Sequence, residues 1–270
     1  MIFVHDKGRM ANNILQYGHV YAWGREHARP TVSMRFAYKY PYFHICHTPR
    51  HNFPTYVFAK YAAKWHLMPT ASFDEERADV SAQEQLMLRS RMVMVTGWYA
   101  HWYDLFLKYK AEILQLFAFD AAVEQAVAPL LSSSEGCLRL GVHIRRGDYK
   151  TFHGGRFFYD DAQYADIISR TLDMLGRDDV HIYICGNDPH LDRSCYEQRF
   201  GSHRVTFPDG NPGEDLCLLS HCDRLIGPPS TFSLVAAMYR DLPLYWVTDP
   251  QQPVTEASFG HFDQLFQHII

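Results

Sequence analysis

Two stretches in the second half of the chain combine residue types that bind anions. His143-Ile144-Arg145-Arg146-Gly147-Asp148 sets two adjacent arginines beside a glycine and an acid, and Pro228-Pro229-Ser230-Thr231 sets two hydroxyls directly after two rigid residues. A guanidinium is always charged and grips a phosphate through two parallel hydrogen bonds. Ser and Thr at a helix start cap its free amides, and the same amides receive a phosphate when one is present. Each stretch therefore has two readings: a phosphate site, or a solvated turn with a surface ion pair in the first case and a plain helix cap in the second. Taken together, an arginine pair facing a Ser-Thr helix start makes a metal-free diphosphate clamp. Such a clamp suits the transfer of a sugar from a nucleotide donor, in which negative charge builds on the departing phosphate oxygens. No Asp-x-Asp triplet is present to hold a divalent ion, and Asp160-Asp161 and Asp178-Asp179 read as helix-start or turn charges. Neighbours at a strand end point in opposite directions. One arginine is therefore expected to face the phosphates and the other to brace the loop through Asp148, and the sequence leaves open which does which.

The elements that must position these residues follow from periodicity. Leu138, Leu140, Val142 and Ile144 alternate with Arg139, Gly141 and His143, the two-residue repeat of a strand. Helix is expected over residues 160–175, 191–200, 213–222 and 231–240, and strand over 180–185, 204–207, 224–227 and 244–247. Repeated strand–helix–strand units imply a parallel sheet covered on both faces, whose ligands bind at the carboxyl ends of the strands. That rule brings Arg145, Arg146 and Asp148, the Gly186-Asn187-Asp188 loop and the Gly227–Ser230 loop to one crevice. The first half reads as strand 2–4, helix from Met10 to about His27, strand 31–36, surface helices 52–65 and 81–91, strand 93–95 and helix 104–116. Ser132-Ser133-Ser134-Glu135-Gly136 is small and polar, and is read as a linker dividing domains 1–134 and 135–270.

Composition narrows the class. With 47% hydrophobic and 21% charged residues the chain is globular, and 270 residues suit two compact domains. A net charge of −4 and the lack of a basic run argue against a nucleic-acid partner, so anion binding must be local. The 17 Tyr and 18 Phe suit either clefts for sugars and nucleobases or an aromatic core. The six cysteines contain no Cys-x-x-Cys pair, which disfavours zinc and a disulfide framework, and His44-Ile45-Cys46-His47 matches no common metal spacing. Neither a signal-peptide pattern nor a membrane-length apolar run is found, so a cytoplasmic enzyme is expected. No Gly-x-Gly-x-x-Gly follows a predicted strand, which argues against a dinucleotide-dependent oxidoreductase.

Four segments, in order, resemble the α-1,2-fucosyltransferases (glycosyltransferase family 11, bacterial). His143-Ile144-Arg145-Arg146-Gly147-Asp148-Tyr149 resembles their signature peptide, shared more loosely by α-1,6- and protein O-fucosyltransferases. Gly8-Arg9-Met10-Ala11-Asn12-Asn13-Ile14-Leu15-Gln16-Tyr17 resembles their first block, Gly97-Trp98-Tyr99 with Tyr103 a later one, and Glu214-Asp215-Leu216 through Ser230-Thr231-Phe232-Ser233 the last. The resemblance implies an α/β protein of two Rossmann-like domains facing a cleft (GT-B-like). It implies an inverting transferase that moves fucose from GDP-fucose to a glycan hydroxyl without an obligatory metal or cofactor. Residues 135–270 would hold the donor and 1–134 most of the acceptor. It carries a phosphate role to Arg145 or Arg146, and donor-site roles to His143, Asp148, Asp215, Ser230, Thr231 and Ser233. Gly8, Arg9, Asn12 and Gln16 would form an N-terminal donor-facing loop, and Asn187 and Asp188 join the donor set from their strand end.

The sequence departs from the family pattern at Ala11, Asn13, Ala100-His101, Pro229 and Leu234-Val235. The first four of these positions fall in the half implied to bind acceptor. Another nucleotide sugar, or a GDP-sugar-binding protein without transferase activity, remains the alternative. Candidates for the base are Asp148, His143, Asp6 and His5. Arg146→Ala is expected to abolish transfer with the fold intact, and the same substitution at Arg145 decides between the two arginines.

Overall fold

The structure, a computed structural model, describes residues 1–5, 7–186 and 188–269. The chain divides into two compact units, Met1–Ala121 and Ala122–Ile270. In the first, β1 (Ile2–His5), β2 (Thr31–Ser33), β3 (Thr70–Ser72) and β4 (Val93–Thr96) form an all-parallel sheet of order β2-β1-β4-β3. Its helices are α1 (Met10–Glu26), α2 (Phe53–Lys64), α3 (Val80–Arg89), α4 (Tyr103–Lys108) and α5 (Lys110–Leu116). The stretch expected as one helix over 104–116 is thus two, separated at Tyr109. The strand β3 has no mark in the sequence, since Thr-Ala-Ser has no period of its own; parallel pairing to β4 makes it a strand.

The second unit begins with α6 (Ala121–Ser133) and continues through β5 (Leu138–Ile144), α7 (Asp161–Leu175), β6 (Val180–Gly186), α8 (Arg193–Phe200) and β7 (Val205–Thr206). It ends with α9 (Pro212–Ser220), β8 (Arg224–Gly227), α10 (Thr231–Met238), β9 (Leu244–Trp246) and α11 (Phe262–Leu265). The strands run parallel in the order β7-β6-β5-β8-β9. Of the serines read as a linker, Ser132 and Ser133 belong to the last turn of α6 and Ser134 directly follows it. Ser134 is buried and accepts from Arg139 Nε at 2.9 Å, while Tyr183 Oη and Arg139 Nη2 bond the carbonyls of Leu130 and Leu131. Packing on the second sheet, not chain flexibility, sets that region, and the division falls at the first residue of α6 rather than after the helix.

Alternation along β5 sorts the second unit into two layers. Leu140, Val142 and Ile144 share a buried cluster with Tyr164, Ala165, Ile167 and Ile168 of α7 and Tyr196 and Phe200 of α8. The odd-numbered side faces the other layer: a side chain at Gly141 would strike Leu219 and Cys222 at the end of α9, and Tyr183 reaches α6. Capping fixes the helix starts. Asp160 and Asn211 each form a reciprocal capping box, at α7 with Gln163 and at α9 with Glu214. Ser230 caps α10, its Oγ accepting from Ser233 N at 3.4 Å.

Candidate functional site

β5 ends at Ile144, and the chain turns at once through Arg145 and Arg146 into a single 3₁₀ turn, Asp148–Lys150. Beside it, β8 ends at Gly227 and runs through Pro228 and Pro229 to the cap Ser230. A Cβ at Gly227 would lie 3.3 Å from both the Cβ and the carbonyl oxygen of His143, a tight contact that shows how closely the two strand ends approach. Tyr149 Oη donates to the Pro229 carbonyl at 2.5 Å and ties the two loops together. The one sign in the sequence that Tyr149 has this task is its place directly after the His143–Asp148 motif.

The two arginines leave the strand on opposite sides, as the alternation requires. Arg146 is 5% exposed and fully engaged. Its Nε donates to the Tyr159 carbonyl at 2.8 Å, Nη1 and Nη2 fork onto the Asp161 carboxylate at 3.0 and 2.6 Å, and Nη1 lies 3.5 Å from Asp188 Oδ2. Asp161 also accepts from Tyr196 Oη at 2.8 Å and from Asp192 N at 3.3 Å. Burial alone would raise the Asp161 pKa, but the bonds from Arg146 and Tyr196 hold it below the ordinary aspartate value. Arg146 is thus the bracing arginine, and its partner is Asp161 on α7, not Asp148. Asp161, read as a helix-start charge, is the anchor of this network. Asp188 is drawn into it, with its other oxygen accepting from His190 N at 2.9 Å.

Arg145 behaves differently. Its Nε and Nη2 form a fork on Asp148 at 3.2 and 2.8 Å, and its guanidinium lies 4.6 Å above the Tyr149 ring. Arg145 is 16% exposed and Asp148 42%, so this pair is more accessible than Arg146 and Asp161, at 6% and 19%. On the same side, the His143 ring lies 4.8 Å from that of Phe232, with Nδ1 3.4 Å from Ser230 Oγ. Burial, with Arg145 adding, pushes the His143 pKa down to about 3, so the imidazole is neutral at physiological pH and is a poor proton acceptor. Ser233 Oγ is spent within the turn, 3.2 Å from the Ser230 carbonyl, and Thr231 is buried in the first turn of α10.

Asp215 lies in the first turn of α9, on the side of the sheet that carries His143. It helps raise the pKa of Cys185, the register partner of His143 on β6. Its Oδ1 is buried without a hydrogen-bond partner, and burial, helped by Glu214, raises its pKa to about 7. A carboxyl in that state is prepared to accept an N–H from a ligand.

The N-terminal group lies in the first unit, where β1 passes into α1. Gly8 has φ of 87°, and a Cβ there would meet Asn12 Nδ2 at 2.6 Å, which explains the glycine. Gln16 accepts from Lys7 N at 3.0 Å and donates to the Lys7 carbonyl at 2.9 Å, so its amide clamps the loop. Arg9 occupies the α1 cap position and is exposed, and Asn12 follows in the first turn. Asn187 and the candidate base Asp6 lie outside the described residues. His5 keeps part of its surface in solvent, and partial desolvation of its ring, with the charges of Arg35 and Lys7 adding, lowers its pKa. His44–His47 forms a short 3₁₀ turn in which His47 pairs with Asp120 at 2.6 Å. Among the described residues no helix is long and apolar enough to cross a membrane, and all six cysteines are free.

No protein-family model and no curated protein matches the chain. Solved structures do. A variant of Arabidopsis thaliana FUT1 in complex with GDP is 14% identical, with a TM-score of 0.66 over 96% of this chain and 73% of that one. POFUT1 in complex with GDP-fucose is 10% identical, with a TM-score of 0.56 over 89% of this chain and 94% of that one. The NodZ α-1,6-fucosyltransferase soaked with GDP-fucose is 12% identical, with a TM-score of 0.56 over 93% and 97%. The shared feature is the fold: a Rossmann-like, GT-B-like α/β architecture of the fucosyltransferase kind, as the sequence implies.

Proposed function

We propose that the chain is an inverting glycosyltransferase that moves fucose from GDP-fucose to a hydroxyl of a glycan acceptor, with an α-1,2 linkage. The observation that carries this reading is that the chain shares its fold, along 89% or more of its length, with structures that hold GDP or GDP-fucose. The second unit, Ala122–Ile270, is the donor side, and the first is the acceptor side.

In this reading Arg145 meets the diphosphate. Asp148 and the Tyr149 ring hold its guanidinium in place, which leaves Nη1 and the outer edge of the fork for phosphate oxygens. The amides at the start of α10, behind the Ser230 cap, add partial positive charge where the leaving group gains negative charge. His143, being neutral, offers a hydrogen bond rather than a charge. Asp215 supplies its unpartnered oxygen to a nucleotide N–H, and Asp188 acts through Arg146. Arg9 and Asn12 belong to the loop that the family resemblance turns toward the donor. Charge on the leaving group is balanced by these residues, so turnover needs no divalent ion.

The test is a thermal-shift series with GDP-fucose, GDP-mannose, UDP-sugars and dTDP-sugars, followed by turnover on glycan acceptors with and without a chelator. Stabilisation by GDP-fucose, and chelator-resistant transfer, are expected. A shift with a UDP- or dTDP-sugar alone would replace the donor. Binding of GDP-fucose without transfer to any glycan would leave a binding protein in place of an enzyme.

A further inference from the structure

The first unit carries a surface that the donor chemistry does not use. Asn52 caps α2, accepting from Thr55 N at 2.9 Å, so this helix is well defined at its start. It packs on the sheet through its smallest residues: Ala59 and Ala62 are buried in a cluster with Phe3, Val32, Met34, Met68 and Met94. Of its large side chains, Tyr56 packs against that cluster and the Phe58 ring lies 6.0 Å from that of Phe3, yet much aromatic surface is left open to solvent. Phe53 is 60% exposed, Phe58 51%, Tyr61 39% and Trp65 63%, and Leu67 just beyond is 69% exposed. Residues 53, 57, 61 and 65 are spaced by four, so they fall on one stripe, with Phe58 beside it. A helix whose only task is to cover a core does the reverse and turns its large apolar side chains inward.

Charge around this stripe is one-sided. The chain has 30 acidic residues against 26 basic ones, yet residues 27–73 contain no Asp or Glu. Arg35, Lys39, Arg50, Lys60 and Lys64 all fall in that stretch. The Lys60 ammonium lies 5.6 Å from the Tyr56 ring and 6.0 Å from that of Tyr61. The Tyr38 ring packs 4.3 Å from that of Tyr56 and its hydroxyl accepts from Arg35 at 2.8 Å, which joins the earlier basic residues to the helix. The acid held against this stretch by His47 is Asp120.

We propose that this face docks on an anionic lipid bilayer, with α2 lying in the plane of the interface. Phe53, Phe58, Trp65 and Leu67 enter the boundary between headgroups and acyl chains, and Lys60 and Lys64 reach the lipid phosphates. Aromatic side chains with polar tips settle at that boundary, and lysine stems lie along apolar surface while the ammonium stays at the headgroups. An apolar stripe flanked by lysines, in a stretch of chain without an acid, has the composition of an interfacial helix, and its positive charge makes the attraction selective for negative lipid. This inference is independent of the donor reading and its test needs no nucleotide.

The full chain is floated with vesicles of phosphatidylcholine alone and of phosphatidylcholine mixed equally with phosphatidylglycerol. Binding to the mixed vesicles is expected, weakening as salt is raised, with little binding to the neutral ones. Phe53→Ser with Trp65→Ser, and separately Lys60→Glu with Lys64→Glu, should each lower partitioning by about tenfold or more, because each pair removes one of the two attractions. Both pairs are exposed, so the melting temperature without lipid should hold and separates docking from misfolding. Trp65→Phe should keep binding while reducing quenching of the protein fluorescence by brominated lipid. Absence of flotation, or flotation unchanged in both double variants, overturns the proposal. So does a dimer that the Phe53 and Trp65 substitutions dissolve without any lipid binding, because the face would then join two copies of the chain.

Discussion

The two sides of the β5 end receive the same residue type and use it in opposite ways. On the α7 side, Arg146 finds two carboxylates and a backbone carbonyl, and its charge is closed off at 5% exposure. On the α10 side, Arg145 finds one half-exposed carboxylate and an aromatic face, with a neutral histidine and a helix start close by. A cation whose donors are all satisfied inside the protein has little left for a ligand. One that is oriented but incompletely neutralised is prepared for an anion. Arginine identity is therefore no guide to function at this strand end; the acids that surround each one decide it.

The largest expected effect follows from removing the open charge. Arg145→Ala should lower kcat/KM for transfer by about 10²–10³, the range for loss of one preorganised donor to a developing anion. The melting temperature should stay within a few degrees, because Asp148 is 42% exposed and is rehydrated once its partner is gone, so the pair is worth about 1 kcal/mol. Arg145→Lys should recover part of the loss, since it restores charge without the fork. Turnover of Arg145→Ala close to that of the parent would move the phosphate contact elsewhere.

Arg146→Ala should act on stability first. It strands the Asp161 carboxylate and leaves Asp188 and the Tyr159 carbonyl without their donor, at a cost of about 3 kcal/mol. Denaturant titration reads that loss. Replacing Arg146 by Met together with Asp161 by Leu should be less harmful than Arg146→Ala alone, because it removes both charges. The expectation drawn from sequence, loss of transfer with the fold intact, thus passes from Arg146 to Arg145.

Why the sequence stopped short here is physical. The period of β5 showed that the arginines part company, because alternation is a local property. Which side is closed depends on Asp161, on a helix that returns only after the loop, and on Tyr196 from a third element. Ser230 as helix cap and the parallel sheet were legible for the same local reason. The extent of α6 was not: Ala-rich, with Pro129 inside it, it carries no strong amphipathic stripe, and its packing on Tyr183 and Arg139 ends it. Gln16, expected in a loop facing the donor, is committed to its own loop. Only the fold makes that visible.

A third expectation concerns acid. His143 has a folded pKa of about 3 against about 6.5 for an exposed imidazole, so the unfolded chain binds the extra proton first as pH falls. The stability it contributes is complete above the unfolded value and is lost as pH drops through the window from about 6.5 towards 3, amounting to roughly 2 kcal/mol at pH 5. His143→Gln should flatten that part of the pH profile of the melting temperature. His19, His51 and His101 are likewise held neutral by burial and should keep a residual slope. An unchanged profile in His143→Gln would mean that the ring is not buried as described.

The smallest effect tests the strut between the two loops. Tyr149 Oη donates to the Pro229 carbonyl, while its ring supports Arg145 and packs 5.0 Å from Phe152. Tyr149→Phe keeps the ring and removes only the hydroxyl, which should cost about 1–2 kcal/mol because a buried carbonyl loses its donor. GDP binding should weaken by a few fold, as the Arg145 turn and the α10 start are no longer held at a fixed separation. Tyr149→Leu removes the ring as well, so Arg145 loses the face that orients it and binding should fall further. Equal GDP affinity in the two variants would assign the whole effect to the hydroxyl and remove the ring from the argument. In both, amide exchange around Asp161 should be unchanged, because the closed side of β5 takes nothing from Tyr149.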